Sequence, residues 1–369
     1  MMMILLLTVI GMVLMNFAAP AVFASPFAME PPIAATQAPA GPATPNGIFV
    51  VDGVHHNAID KALLSAPDVD GVLLEVPWNV LEPQEGRFNW SPIDTVLSQA
   101  ATYGKKVSLI LGAGWQTPAW VYADGARAYK FLWDKSNWGP PLCTPTSIPV
   151  PWDAIFLSKW ADLVTAAGNR YDSSETIASV KVSGVNSKTQ ETFLPTSVHR
   201  SISGKGVSCI SYDDVADWQA AGYTRLKAEG AWANTMEIFA RAFPTKMLEP
   251  MFIPGGFPAI DDNGNRFSSP NSQDMQVSSD LILTGLAEYP SDFIIQNDGW
   301  SAQWIWENES EYASRVGTGY QEVSALKTQA PKAVTDAIQD GAMYLEFYES
   351  DAIAASLQST MNTAHTVLQ

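Results

Sequence analysis

Eight short apolar runs alternate with longer helical segments from Gly47 to the end of this chain. The runs lie at residues 48–51, 71–76, 106–111, 179–185, 246–253, 292–296, 316–321 and 342–347. Each is short enough for one buried strand. Pro250 weakens the fifth, because proline cannot donate to a sheet ladder. Between the runs, apolar residues recur at helical spacing, as in Ile93, Val96, Leu97, Ala100 and Ala101. Ser91-Pro92-Ile93-Asp94 reads as an N-cap with Pro at N1, and Gly104 as the stop. Later helices are read at 280–288, 326–338 and 352–368. Strand–helix alternation repeated eight times predicts a (β/α)8 barrel with long loops. An open doubly wound sheet is the alternative. It would place a glycine-rich phosphate loop after the first strand, where the chain has Val51-Asp52-Gly53-Val54-His55-His56 instead.

Length alone suggests two domains, but the N-terminus changes that count. The first 24 residues carry no charge, and a nearly continuous apolar run is followed by Ala21-Val22-Phe23-Ala24-Ser25, with small residues at Val22 and Ala24. This reads as a cleaved signal peptide over 1–24, although no Lys or Arg precedes the run. An uncleaved anchor is the alternative. Residues 25–46, with six prolines, read as an Ala/Pro-rich linker. Residues 47–369 then suit one barrel. The formal net charge of −17 argues against nucleic acid and against an anionic membrane surface. The expectation is a secreted monomer, extracellular or periplasmic, with no stable membrane association once the signal is removed.

A barrel assigns function to geography, because active sites of such barrels lie at the C-terminal ends of the strands. After the second strand comes Trp78, then Glu82-Pro83, Gly86, Phe88 and Trp90; after the third comes Trp115-Gln116-Thr117-Pro118-Ala119-Trp120. These segments resemble the clan A (β/α)8 glycoside hydrolases, including families 5 and 42. The resemblance extends from about Gly47 to Glu191 and implies retaining hydrolysis of a carbohydrate, without a cofactor or metal. It also implies a general acid/base after the fourth strand and a nucleophile after the seventh. Glycoside hydrolysis needs two carboxyls flanking the scissile bond. Glu191 is the only acid between Glu175 and Asp213 and takes the acid/base position. The residue before it is Gln190, where the family has Asn; Asn186 is expected to contact a substrate hydroxyl instead. Glu322 takes the nucleophile position. Glu346 competes, because a glutamate inside an apolar strand is costly unless it serves a purpose. Only 20 residues follow Glu349, which makes that strand the eighth and favours Glu322.

Further sugar contacts are expected from Trp78, Trp115, Asn297, Asp298, Trp300 and His55. Thirteen tryptophans are more than a core usually needs, and sugar rings stack on indoles. Trp304 and Trp306 follow the sixth strand closely. The competing reading makes Asn297-Asp298-Gly299 an ordinary turn and Glu82 with Trp90 a loop clamp. Glu75 is read as a partner for a histidine or an arginine. His55, His56 and Asp60 match no metal spacing. Cys143 and Cys209 fall in the long loops after the third and fourth strands. In an oxidising compartment they are expected to form a disulfide that stiffens the cleft wall; two free buried thiols are the alternative. The competing function is a non-catalytic carbohydrate-binding barrel at the cell surface.

Overall fold

The computed structural model describes residues 44–253, 255–301 and 312–369. Residues 1–43, the whole expected signal and most of the expected linker, lie outside them, as do Trp304 and Trp306. Eight parallel strands close into a barrel. They are β1 (Gly47–Val51), β2 (Gly71–Pro77), β3 (Lys106–Gly112), β4 (Ile177–Val182), β5 (Met247–Phe252), β6 (Ile294–Trp300), β7 (Gly317–Glu322) and β8 (Ala342–Tyr348). Each pairs with its sequence neighbours, and β8 closes on β1. The expected (β/α)8 architecture is the one observed.

Among the described residues, six helices of eight or more residues pack outside the strands: α1 (Ser91–Thr102), α2 (Ala154–Tyr171), α3 (Arg225–Ala242), α4 (Gln276–Glu288), α5 (Ala330–Gln339) and α6 (Gln358–Leu368). Helix α1 buries Ile93, Val96 and Ala100, the stripe seen in the sequence. Its N-cap is Trp90, one residue earlier than expected, and Ser91 already lies in the first turn. Helices α2 and α3 are capped by the side chains of Asp153 and Thr224. The 326–338 segment is helical from Ala330 onward, after a tight turn at Lys327–Gln329.

Two strand ends differ from expectation in ways that bear on the site. Strand β6 runs on through Asn297, Asp298, Gly299 and Trp300, with a register irregularity against β7 between Asn297 and Trp300. Glu322 is the last residue of β7 rather than part of the following loop. Pro250 is accommodated in β5: it is the last residue paired with β4, and pairing with β6 begins at Met251. Its missing donor therefore falls where the strand changes partners.

Side chains alternate inward and outward along each strand. Phe49, Met247, Ile294 and Tyr344 form an apolar layer inside the barrel, joined by Ala178. The other face of the strands packs on the helices in one continuous core. Gly319 lies against Tyr344, where a Cβ would come within 1.9 Å of the ring.

Candidate active site

Above the apolar layer the barrel interior turns polar. Lys181 of β4 lies 2.7 Å from Glu249 of β5 and 2.8 Å from Glu346 of β8, with all three fully buried. It also donates to Gln296 Oε1 of β6, and Gln296 Nε2 donates to Glu346 Oε2 at 2.8 Å. The Tyr344 hydroxyl lies within hydrogen-bond distance of Gln296 and Glu249. Burial alone would lower the Lys181 pKa, but Glu249 and Glu346 outweigh it and raise it. Burial raises Glu346, against the pull of Lys181. Glu346 is therefore part of a buried ion cluster rather than a free nucleophile or a sugar ligand. That is the purpose that offsets its cost inside an apolar strand.

The loops after β3 and β4 build the wall of the mouth. Gly114 adopts φ +58°, and a Cβ there would fall 2.2 Å from the Ser187 carbonyl, so only glycine lets the two loops meet. Cys143 and Cys209 are joined by the expected disulfide, with 6.0 Å between their Cα atoms. Lys188 bonds Asp134 at 2.7 Å across the same two loops. Asn186 is used up locally: its Nδ2 donates to the Thr189 carbonyl and Gln190 Oε1, and its Oδ1 accepts the Gly184 N–H. It shapes the loop that carries Glu191, which leaves it little capacity for the expected substrate hydroxyl.

Gln190 is the hub of the mouth. Its Oε1 accepts the Ala113 N–H at 3.1 Å, and its Nε2 donates to Glu75 Oε1 at 3.0 Å and Gln116 Oε1 at 3.2 Å. Glu191 is half-buried, and its Oε2 has no hydrogen-bond partner. Burial pushes its carboxyl above the usual range, opposed by a hydrogen bond from Thr189. Glu75 is solvent-exposed although it sits within β2. Its recess strips enough hydration to push its carboxyl to about 7, with the Glu191 charge adding to the shift and the Gln190 and Gln116 bonds opposing it. Asp298 is 4% exposed, and neither of its oxygens has a partner. Burial, then the Glu191 charge, pushes its carboxyl well up.

Glu322, the expected nucleophile, does not stand free at the mouth. Glu322 is fully buried, with Oε2 accepting the Tyr348 N–H at 2.8 Å and Oε1 the Leu326 N–H at 3.4 Å. Burial pushes it to about 8, and its acidic neighbour is Asp351. The tryptophan expectation also needs correction. Trp78 is fully buried against Trp120, Phe156 and Trp160 and donates to Glu82 Oε2 at 2.8 Å. Glu82 also accepts the Gly86 N–H, so the loop clamp is the correct reading there. Trp300 is fully buried against Tyr320 and Phe347 and offers no face to a ligand. Asn297 is fully buried and accepts the Gly299 N–H. Trp115 remains half-buried at the mouth, edge-on to Trp133. His55 is exposed and bonds Glu349 at 2.7 Å rather than Glu75; that bond raises its pKa.

Sequence reasoning underused Glu75, Gln116 and Gln190. The signal was present, because the reasoning that singled out Glu346, an acid inside an apolar strand, applies equally to Glu75 in Gly71-Val72-Leu73-Leu74-Glu75-Val76. Among the described residues, no group of three or more His, Cys, Asp or Glu side chains could hold a metal ion.

A family model, Glyco_hydro_42, described as beta-galactosidase, matches residues 60–192, a span that includes Glu75, Gln190 and Glu191. The catalytic domain of a beta-amylase from Paenibacillus polymyxa superposes with a TM-score of 0.59 at 12% identity, over 86% of this chain and 98% of that one. The chain resembles the (β/α)8 glycoside hydrolases. Two xylanases match less closely in shape. A psychrophilic family 10 endo-β-1,4-xylanase gives a TM-score of 0.44 at 13% identity, over 87% of this chain and 95% of that one. Xylanase XynB from Paenibacillus barcinonensis gives 0.46 at 12%, over 84% and 86%. No curated protein matches the chain in sequence.

Proposed function

We propose that this protein is a glycoside hydrolase that cleaves O-glycosidic bonds of an oligo- or polysaccharide, with Glu191 as general acid/base. The observation that carries this is the position and state of Glu191. It stands on the loop after β4, at the mouth of a (β/α)8 barrel, with an unpartnered oxygen and a carboxyl that burial pushes up. A general acid/base works best with a carboxyl held above its usual range, which is the direction burial gives Glu191. The match of residues 60–192 to a beta-galactosidase family model supports the same reaction class. A retaining course and export through residues 1–24 belong to this proposal. The chemistry uses no cofactor, and the substrate is the only partner it requires.

The test is hydrolysis of a panel of aryl glycosides and polysaccharides by the full chain, with Glu191→Gln alongside. Loss of the acid is expected to lower kcat by about 10²- to 10⁴-fold with the fold intact. Glycan binding without turnover by the wild-type protein supports the carbohydrate-binding barrel instead. The anomer first released, read by NMR, tests retention, and a mature N-terminus at Ser25 tests export.

A further inference from the structure

Glu191 is carried on a span of chain that is held on both sides. After it comes Thr192, whose N–H donates to the Met251 carbonyl of β5 at 2.8 Å. The Glu191 carbonyl itself accepts the Phe193 N–H at 2.7 Å. Before it comes Gln190, which is 2% exposed. Thr192 is held by its backbone, whereas Gln190 is held by a side chain that reaches three other segments.

A glutamine amide has two acceptor positions and two N–H donors. Gln190 Oε1 accepts the Ala113 N–H at 3.1 Å and Asn186 Nδ2 at 2.8 Å. Its Nε2 donates to Glu75 Oε1 at 3.0 Å and Gln116 Oε1 at 3.2 Å. The two ends cannot be exchanged. A backbone N–H only donates, so Oε1 must face Ala113, and that leaves Nε2 for the Glu75 carboxyl. With all four positions taken, the amide has none to spare for a sugar hydroxyl. Its partners come from β2 (Glu75), from the turn after β3 (Ala113 and Gln116) and from the start of the loop after β4 (Asn186). Asn186 carries the hold onward to the Thr189 carbonyl at 2.6 Å. The residues around Glu191 are thus tied to the neighbouring strands, while Glu191 keeps one oxygen without a partner.

We propose that Gln190 is a positioning residue for the general acid, and that its amide bridge to β2 and to the turn after β3 fixes the direction from which Glu191 meets the leaving oxygen. This inference rests on the glycosidase reading. Gln190 touches no reacting atom and acts only through Glu191. A reacting group displaced by about 1 Å can lose about 10²-fold in rate. Only a leaving group that needs a proton should feel that loss, because one that is itself a weak base departs unprotonated.

The experiment uses the full chain and two substrates of the sugar that the wild type cleaves, a phenyl glycoside and a 2,4-dinitrophenyl glycoside. Gln190→Leu is expected to lower kcat/KM about 10²-fold on the phenyl glycoside and less than about fivefold on the dinitrophenyl one. The ratio of the two does not depend on how much of the variant is folded, so a merely structural role would leave it unchanged. Gln190→Glu keeps the shape but sets an acceptor against Glu75 Oε1, and it is expected to show the same split. Gln190→Glu with Glu75→Gln puts a donor opposite an acceptor again and is expected to bring the phenyl glycoside back to within about tenfold of wild type. Equal losses on both substrates, no loss on either, or a double variant no better than Gln190→Glu overturns the inference. If Glu191→Gln shows the split in that case, the glycosidase reading stands. A Glu191→Gln enzyme without the split overturns the role of Glu191 and this inference with it, and a wild type that cleaves neither substrate overturns both readings.

Discussion

Glu75 on β2 and Glu346 on β8 are both inward-facing glutamates within apolar strands, and solvent reaches only the first. Their difference is height. Phe49 of β1 is paired with Gly71 on one side and with Glu346 on the other. Glu346 therefore lies level with Gly71, and Glu75 stands four residues nearer the mouth, about 13 Å along a strand. At the lower level a carboxylate must be neutralised by Lys181; at the upper one, Gln190 and Gln116 hold it while water still reaches it. The same side chain needs a buried cation at one level and only neutral amides at the other.

The comparison breaks if the lower cluster proves dispensable. Lys181→Met would leave Glu249 and Glu346 buried without their cation, and about 3–5 kcal/mol of stability should be lost in urea unfolding. A loss below about 1 kcal/mol would mean that the cluster is not structural. The upper level depends on loops instead. Replacing both Cys143 and Cys209 by Ser should cost about 2–4 kcal/mol, read as a lower melting temperature, because the bridge closes a long loop. Turnover by that variant should fall if the loop wall positions Glu191.

The smallest effect sharpens the comparison through pH. In the folded chain Asp214 is pushed to about 6 and Glu322 to about 8, each chiefly by burial. Both stand above their usual carboxylate values, so the folded state holds more protons than the unfolded one. Their stabilising contribution is fully present below about pH 4 and is lost as pH rises through 6 to 8. The melting temperature should therefore fall by several degrees between pH 5 and pH 8.5. Glu322→Gln should flatten that slope most, since Glu322 has the higher value and is fully buried. A melting temperature that rises over this range would contradict the assignment.

Much of the barrel was legible because buried parallel strands are short apolar runs and their helices carry an apolar stripe every turn. All eight strands lie where the runs predict them, within a few residues at their ends. The disulfide followed from topology, since loops after adjacent strands are neighbours at one end of a barrel. The site was legible only in part. Trp78 and Trp300 follow or end strands in sequence just as Trp115 does, yet both face the helices while Trp115 lies half-buried at the mouth. A one-residue difference in where a strand ends reverses the side on which a side chain emerges. Strand β6 continues through Trp300, and Glu322 ends β7 rather than following it.

By itself, then, the sequence determined the alternation, the closed barrel it implies, and the short set of acids near the strand ends. Periodicity and composition are local properties that any window of chain displays. Which acid is held by Gln190, which tryptophan meets solvent, and which glutamate is neutralised by Lys181 were decided by strand register and by height within the barrel. Those depend on residues far apart in the chain, such as Glu75 with Gln190 and Lys181 with Glu346, being brought within hydrogen-bonding distance by closure of the sheet.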